Sequence, residues 1–208
     1  MKLVNLCWLV AAAITTMTSV SAQESRHRLG DPIPREGTAD LSITRAPNQI
    51  PSSLKDLTNK AVAIVYGSIN SVLPARETSP AALETDAIVD VKTTFKGKQS
   101  DRRIVISQRG GSLGKLFVTP KQYSLVRPGE EYLLFLVEDP RPNIPAVAGL
   151  KRYLVAGLWT GLLRFENGRL QPRPGRVPDR LWNEQAGRTL DQVIGDVRQS
   201  LLEAGVQQ

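Results

Sequence analysis

The stretch Glu131-Tyr132-Leu133-Leu134-Phe135-Leu136-Val137 limits the possible folds more than any other part of the chain. Its side chains are apolar at both parities. Successive residues of a strand point to opposite faces, so a strand with this pattern is dry on both sides and its sheet needs a cover on the outside as well as a core within. One segment fits the part of the cover. From Thr189 the apolar period becomes helical: Leu190, Val193, Ile194, Val197, Leu201 and Ala204 form one stripe. Thr189 and Gln192 have capping-box spacing, and Gly205 stands where a left-handed cap would end the helix. Burying one such leucine or isoleucine contributes about 1.5–3 kcal/mol, enough for the stripe to anchor the helix beyond its own propensity.

The other apolar segments are short and punctuated by glycine. Ser53 can cap a brief helix running to Lys60, with Asp56 in its first turn. Val62, Ile64 and Tyr66 share a strand face, Ile69 falls out of phase, and a bulge at Gly67 restores it. A polar loop, Leu73 to Glu84, follows. Ala87, Val89, Val91 and Phe95 then alternate with Asp90, Lys92 and Thr94, as in a strand with one wet face that stops at Gly97. Ile104-Val105-Ile106 and Tyr153 to Trp159 supply further strands. Asn167-Gly168, between Leu162–Phe165 and Arg169–Leu170, is the strongest hairpin signal in the chain. The expected fold is mainly β: a five- to six-stranded Greek-key barrel of the OB type, with a short N-terminal helix and the amphipathic C-terminal helix packed on it.

Residues 1–22 carry Lys2, an apolar run from Leu3 to Ile14, and small residues ending in Val20-Ser21-Ala22. This order is that of a secretory signal peptide cut between Ala22 and Gln23. An uncleaved anchor fits less well, because a span needs about 20 mostly apolar residues and Thr15, Thr16 and Thr18 interrupt this run. Cleavage takes one positive charge from the chain's +7, together with its sole cysteine, Cys7. Residues 23–53, with Pro32, Pro34, Pro47 and Pro51 and no apolar period, read as a mobile arm. The expected domain spans 54–170, with a basic proline-rich connector at 171–188 and the covering helix at 189–205.

The composition excludes several chemistries. With one cysteine and one histidine there is neither an internal disulfide nor a Cys/His zinc site. His27 falls in the arm, where no catalytic partner would be held against it. Ser112 and Lys115 have the spacing of serine-lysine acylases, yet Gly110, Gly111 and Gly114 surround them and oppose the helix that would put both on one face. The same stretch fails as a phosphate loop, with Leu116 where a magnesium-binding hydroxyl is required. Glu130-Glu131 and Glu138-Asp139 flank the doubly apolar strand at opposite ends, too far apart for one glycosidase pair. No calcium loop, other metal site or cofactor motif is found. Arg164, Arg169, Arg173, Arg176 and Arg180 outnumber Glu166 and Asp179 and form a candidate anion-binding edge, which could meet an anionic membrane surface or envelope polymer. Export makes nucleic acid a poor partner.

Four stretches, VAIVYGSINSV, IVDVKTTFKG, VRPGEEYLLFLVED and YLVAGLWTGLLRFENG, taken in order, resemble netrin-like domains and the tissue inhibitors of metalloproteinases, and uncharacterised secreted bacterial proteins of the same architecture. The resemblance covers about residues 54 to 170. It implies an OB-type barrel with a binding role. The zinc-chelating N-terminal cysteine of the metalloproteinase inhibitors has no counterpart at Gln23, so their inhibitory mechanism does not transfer. The reading is a secreted or periplasmic, non-catalytic binding module for an unidentified protein or envelope polymer. By analogy with OB recognition loops, Leu73–Glu84 and Asp139–Leu150 are its candidate binding loops. Two alternatives stand beside it: an electrostatic binder acting through the arginine-rich connector, and a hydrolase using Ser112 and Lys115.

Overall fold

The computed structural model describes residues 50–205, except 80–81, 99–100, 121–122, 142–143, 145–146, 148 and 173–179. The signal peptide, its cleavage point at Ala22-Gln23, Cys7, His27 and nearly all of the arm lie outside the described residues. In chain order the elements are α1 (Leu54–Lys60), β1 (Ala63–Val72), β2 (Arg76–Ser79), β3 (Ala82–Lys96), β4 (Arg103–Arg109), β5 (Gly111–Leu113) and β6 (Leu116–Val118). They continue through β7 (Glu131–Glu138), β8 (Arg152–Val155), β9 (Leu162–Glu166), β10 (Arg169–Leu170), α2 (Arg180–Gln185) and α3 (Leu190–Glu203).

Five strands close into a ring in the order β1-β3-β4-β8-β7, with β7 pairing back onto β1. Only the β4–β8 contact is parallel. This is an OB-like barrel, as the strand pattern implies. β9 and β10 extend the sheet from β7, and β2 adds to β3. β1 bends where its register with β3 shifts between Tyr66 and Gly67. The bulge needs glycine, because a Cβ at Gly67 would lie 2.4 Å from the carbonyl oxygen of Asp90.

The doubly apolar strand is β7. Leu133 and Phe135 face one side and Leu134 and Leu136 the other, and all four are fully buried. They share one core with Leu54 and Leu57 of α1 and Val193, Val197 and Leu201 of α3. Ser53 caps α1 by accepting from the Asp56 amide, Thr189 and Gln192 complete their capping box, and Gly205 takes a φ of 67°. α1 packs against α3, and Lys55 reaches Glu203 at 2.6 Å. Asn167 (φ 52°) and Gly168 (φ 72°) turn β9 into β10, both in the left-handed region that this hairpin demands.

Several expectations need correction. Part of the polar loop at Leu73–Glu84 is the β2–β3 hairpin, since Arg76 and Glu77 pair with Glu84 and Leu83. The glycine-rich segment around Ser112 folds as the β5–β6 hairpin, its turn made by Gly114 at φ 59°. The strand beginning at Tyr153 stops at Val155, because Gly157 and Leu158 adopt φ of 60° and 68° and turn the chain away. The connector contains α2, whose Leu181 and Trp182 are buried. β3 also begins earlier than its alternating stretch, at Ala82, and two residues of that added length, Glu84 and Asp86, are buried, for reasons that define the site below.

Candidate functional site: a cleft at the parallel seam

Parallel pairing between β4 and β8 lasts three rungs, from Val105–Arg152 to Ser107–Leu154. β4 continues to Arg109 while still paired with β3, whereas β8 leaves: the Ala156 amide donates to the carbonyl of Phe135 (2.8 Å), and the chain bends through Gly157. Gly157 is required there, since a Cβ would meet Pro51 at 2.4 Å. Beyond Ser107 and Leu154 a cleft of about 630 Å³ lies along the seam. Its lining is largely apolar, with Val137, Pro140, Leu154, Val155 and Leu158, and it includes Tyr123 and Trp159, whose rings stack 5.8 Å apart at 19°. The Tyr123 hydroxyl donates to the carbonyl of Arg109 (2.7 Å), which fixes the ring to the end of β4. Gln108, 5 % exposed, accepts from the Val126 amide through Oε1 (3.0 Å), while its Nε2 is buried with no hydrogen-bond partner among the described residues.

One side of the cleft is framed by a cluster of buried charge. Arg76 on β2 bonds to Asp86 and, at 3.0 Å, to Glu84. Arg152 on β8 reaches Asp86 at 2.8 Å, and the Ser107 hydroxyl donates to the same carboxylate at 2.5 Å. Arg141 donates to Glu84 (2.7 Å) and, from Nε and Nη2, to both oxygens of Asp139 (2.8 and 2.9 Å). Three guanidiniums and three carboxylates balance, which is the condition under which such groups tolerate burial. Burial alone would raise the Asp139 carboxyl, yet the hydrogen bonds from Arg141 and the charges of Arg141 and Arg152 hold it below the ordinary range. Asp139 in turn pushes the Arg141 guanidinium further up. Residues of both candidate loops meet here: Arg76 and Glu84 come from the first, Asp139 and Arg141 from the second.

The other sequence candidates have separate places. Arg164 is held by Glu130 and Glu166, both at 2.9 Å, and Arg169 donates to the carbonyl of Gly187 at 3.0 Å. Arg173 and Arg176 lie outside the described residues, and of Arg180 only the backbone, opening α2, is described. Of this set only the side chains of Arg164 and Arg169 are described, and each is already bonded within the fold. Ser112 sits in β5 opposite Phe117 and Lys115 in the turn, both exposed. Glu131 accepts from Tyr66 (2.5 Å) and Lys92, hydrogen bonds that hold its carboxyl low, while burial and then Glu131 itself push the Tyr66 hydroxyl up. Glu138 pairs with Lys151. Among the described residues no group of three or more His, Cys, Asp or Glu is placed to hold a metal, and no helix is long and apolar enough to cross a membrane.

Neither a family model nor a curated protein matches the chain. The site therefore stands on its geometry. Sequence reasoning missed Gln108, Tyr123 and Arg109, and only the loop analogy pointed towards Arg141. Gln108 and Arg109 lie just beyond the apolar triplet Ile104-Val105-Ile106 that marks the strand, and Tyr123 reaches its end only through the hydrogen bond to Arg109.

Proposed function

We propose that the protein is a non-catalytic binding module, exported to the periplasm or beyond, with a netrin-like barrel that takes its ligand in the seam cleft. The observation that carries this reading is the cleft itself: a partly apolar recess at the end of the parallel seam, flanked by both candidate loops and framed by a neutral ion cluster that keeps those loops in place. Preorganised recesses of this size and lining are where small ligands bind. The order of Lys2, the apolar run and Ala22 supports export. The hydrolase alternative is poorly served by Ser112 and Lys115, which stand on an exposed hairpin rather than on one helix face.

The test is ligand retention. The full chain, incubated with envelope extract and examined by native mass spectrometry, retains a bound species, and Leu154→Trp, which fills the cleft, loses it. Equal retention by both proteins contradicts the assignment. Labelling of Ser112 by a fluorophosphonate favours the hydrolase instead.

A further inference from the structure

We propose that the β5–β6 hairpin is a docking tip for an anionic phospholipid surface, independent of what the cleft holds. Three observations carry this. First, the hairpin puts apolar bulk into solvent. It is a two-stranded sheet of its own, anchored at its base where Val118 is buried against Ala75 and Leu83. Towards the turn the side chains emerge: Leu113 is 43 % and Phe117 59 % exposed. Cross-strand pairing sets Phe117 beside Ser112 and Leu113 beside Leu116, so the two exposed side chains stand on opposite faces. A tip that is apolar on both faces suits a fluid medium that closes around it, whereas a rigid protein face would cover one side and leave the other in water. Phe117 lies two residues from Lys115 in the turn, about 7 Å at strand rise, within the roughly 5–10 Å that an interfacial apolar face reaches into a bilayer. Second, Phe117 does not stand alone. It borders a groove of about 750 Å³ whose lining includes Val72, Pro120, Leu125 and Pro128. Third, the charge around the tip has one sign. From Arg102 to Gly129 the chain has six Lys or Arg and no Asp or Glu. Lys115 in the turn and Arg127, the sole charged residue of the groove lining, are both exposed. Glu130, which accepts from the Arg127 amide, is itself bonded to Arg164 and Tyr132, and Glu77 is the exposed acid of the neighbouring β2. A lysine between two inserted apolar side chains can lay its stem along the tip and keep its ammonium at the lipid phosphates.

The apolar run Leu3–Ile14 of the full chain can adsorb to lipid by itself, so the readout is placed on the hairpin. Phe117→Trp is mixed with vesicles of phosphatidylcholine and phosphatidylglycerol in equal parts whose acyl chains carry bromine, and the quenching of its fluorescence is compared with that of the parent chain. Docking by the tip gives quenching beyond the parent's on these vesicles and none beyond it on phosphatidylcholine alone. Leu202→Trp, at an exposed position on α3, gives no excess on either. In the Phe117→Trp chain, Lys115→Gln and Arg127→Gln each weaken vesicle affinity about fivefold, as expected for one basic residue near an anionic surface. Leu113→Ser weakens it about tenfold. All three change exposed positions and leave thermal melting as it was. An excess at Leu202→Trp equal to that at Phe117→Trp, an equal excess on neutral vesicles, or an excess indifferent to Lys115→Gln and Arg127→Gln overturns the proposal. No excess on anionic vesicles also overturns it and leaves the tip to a protein partner.

Discussion

Where α1 and α3 lie against the barrel, the outside of β7 is sealed mainly by apolar side chains. Leu133, Phe135, Val193, Val197 and Leu201 are all buried there in one continuous core. Over β3 and β4 the outside is sealed instead by charge: Glu84 and Asp86 are as well buried as many core residues, and they are covered by Arg76, Arg141 and Arg152. The first seal is non-directional, because apolar burial depends on area removed from water rather than on angle. The second depends on each hydrogen bond, and in return it fixes β2, β8 and the residues after β7 to defined positions. The cleft lies against the second seal. A binding site gains from walls that cannot slide, and the ion cluster supplies them, whereas the helices supply bulk stability.

The largest test of this contrast is Phe135→Ala, which opens a cavity in the apolar seal. It should cost about 3–5 kcal/mol in urea unfolding while leaving the cleft residues in place. Asp86→Ala should cost about 3 kcal/mol, because Arg76 and Arg152 then lose the buried carboxylate they share. Removing Arg152 as well should cost less than the two losses added, with a coupling of about 1–3 kcal/mol in the double-mutant cycle. Strict additivity would mean that the cluster does not act as a unit.

The two seals also differ in how far the sequence revealed them. The apolar seal was legible, because the double parity of β7 and the helical period from Leu190 to Leu201 are both patterns in hydrophobicity, and each demands the other. The Gly67 bulge and the Asn167-Gly168 turn were legible for the same kind of reason, since glycine at those positions has a local steric meaning. The ionic seal was not. Glu84, Asp86 and Asp90 occupy one face of β3 in alternation with apolar residues, and such a face reads as wet along its length. Asp90 does lie near solvent, bonded to Asn70 and Arg103, but Glu84 and Asp86 are buried by Arg76 across the β2–β3 hairpin and by Arg141 and Arg152, which stand far away in sequence. No period announces a pairing across 66 residues, as between Arg152 and Asp86. The cleft was hidden with it, because it arises where β8 departs from β4, and its cause is a left-handed turn at Gly157-Leu158 in what looks like continuous strand.

Smaller effects sharpen the comparison. Thr189→Ala removes the cap of α3 and should cost about 1 kcal/mol in urea unfolding, without altering ligand retention, since it loosens only the apolar seal. Asp139→Asn should cost less than about 1 kcal/mol at neutral pH, because Arg141 is partly exposed. Its signature is in acid. A carboxyl held low in the folded state contributes stability that is present above its unfolded value, about 3.9, and is lost as the pH falls through the lower folded value. Asp139→Asn should therefore flatten the fall in stability below about pH 4. Phe135→Ala should leave that slope unchanged, and a slope altered equally by both would erase the distinction between the seals.

The most direct measurement is hydrogen exchange of the full chain with and without the species that it retains from envelope extract. Binding in the seam cleft predicts slowed exchange at Ser107–Arg109, Tyr123 and Ala156–Trp159, with the α3 amides unchanged. Slowed exchange confined to the β9–β10 hairpin and α2, or none in the cleft segments, would contradict it.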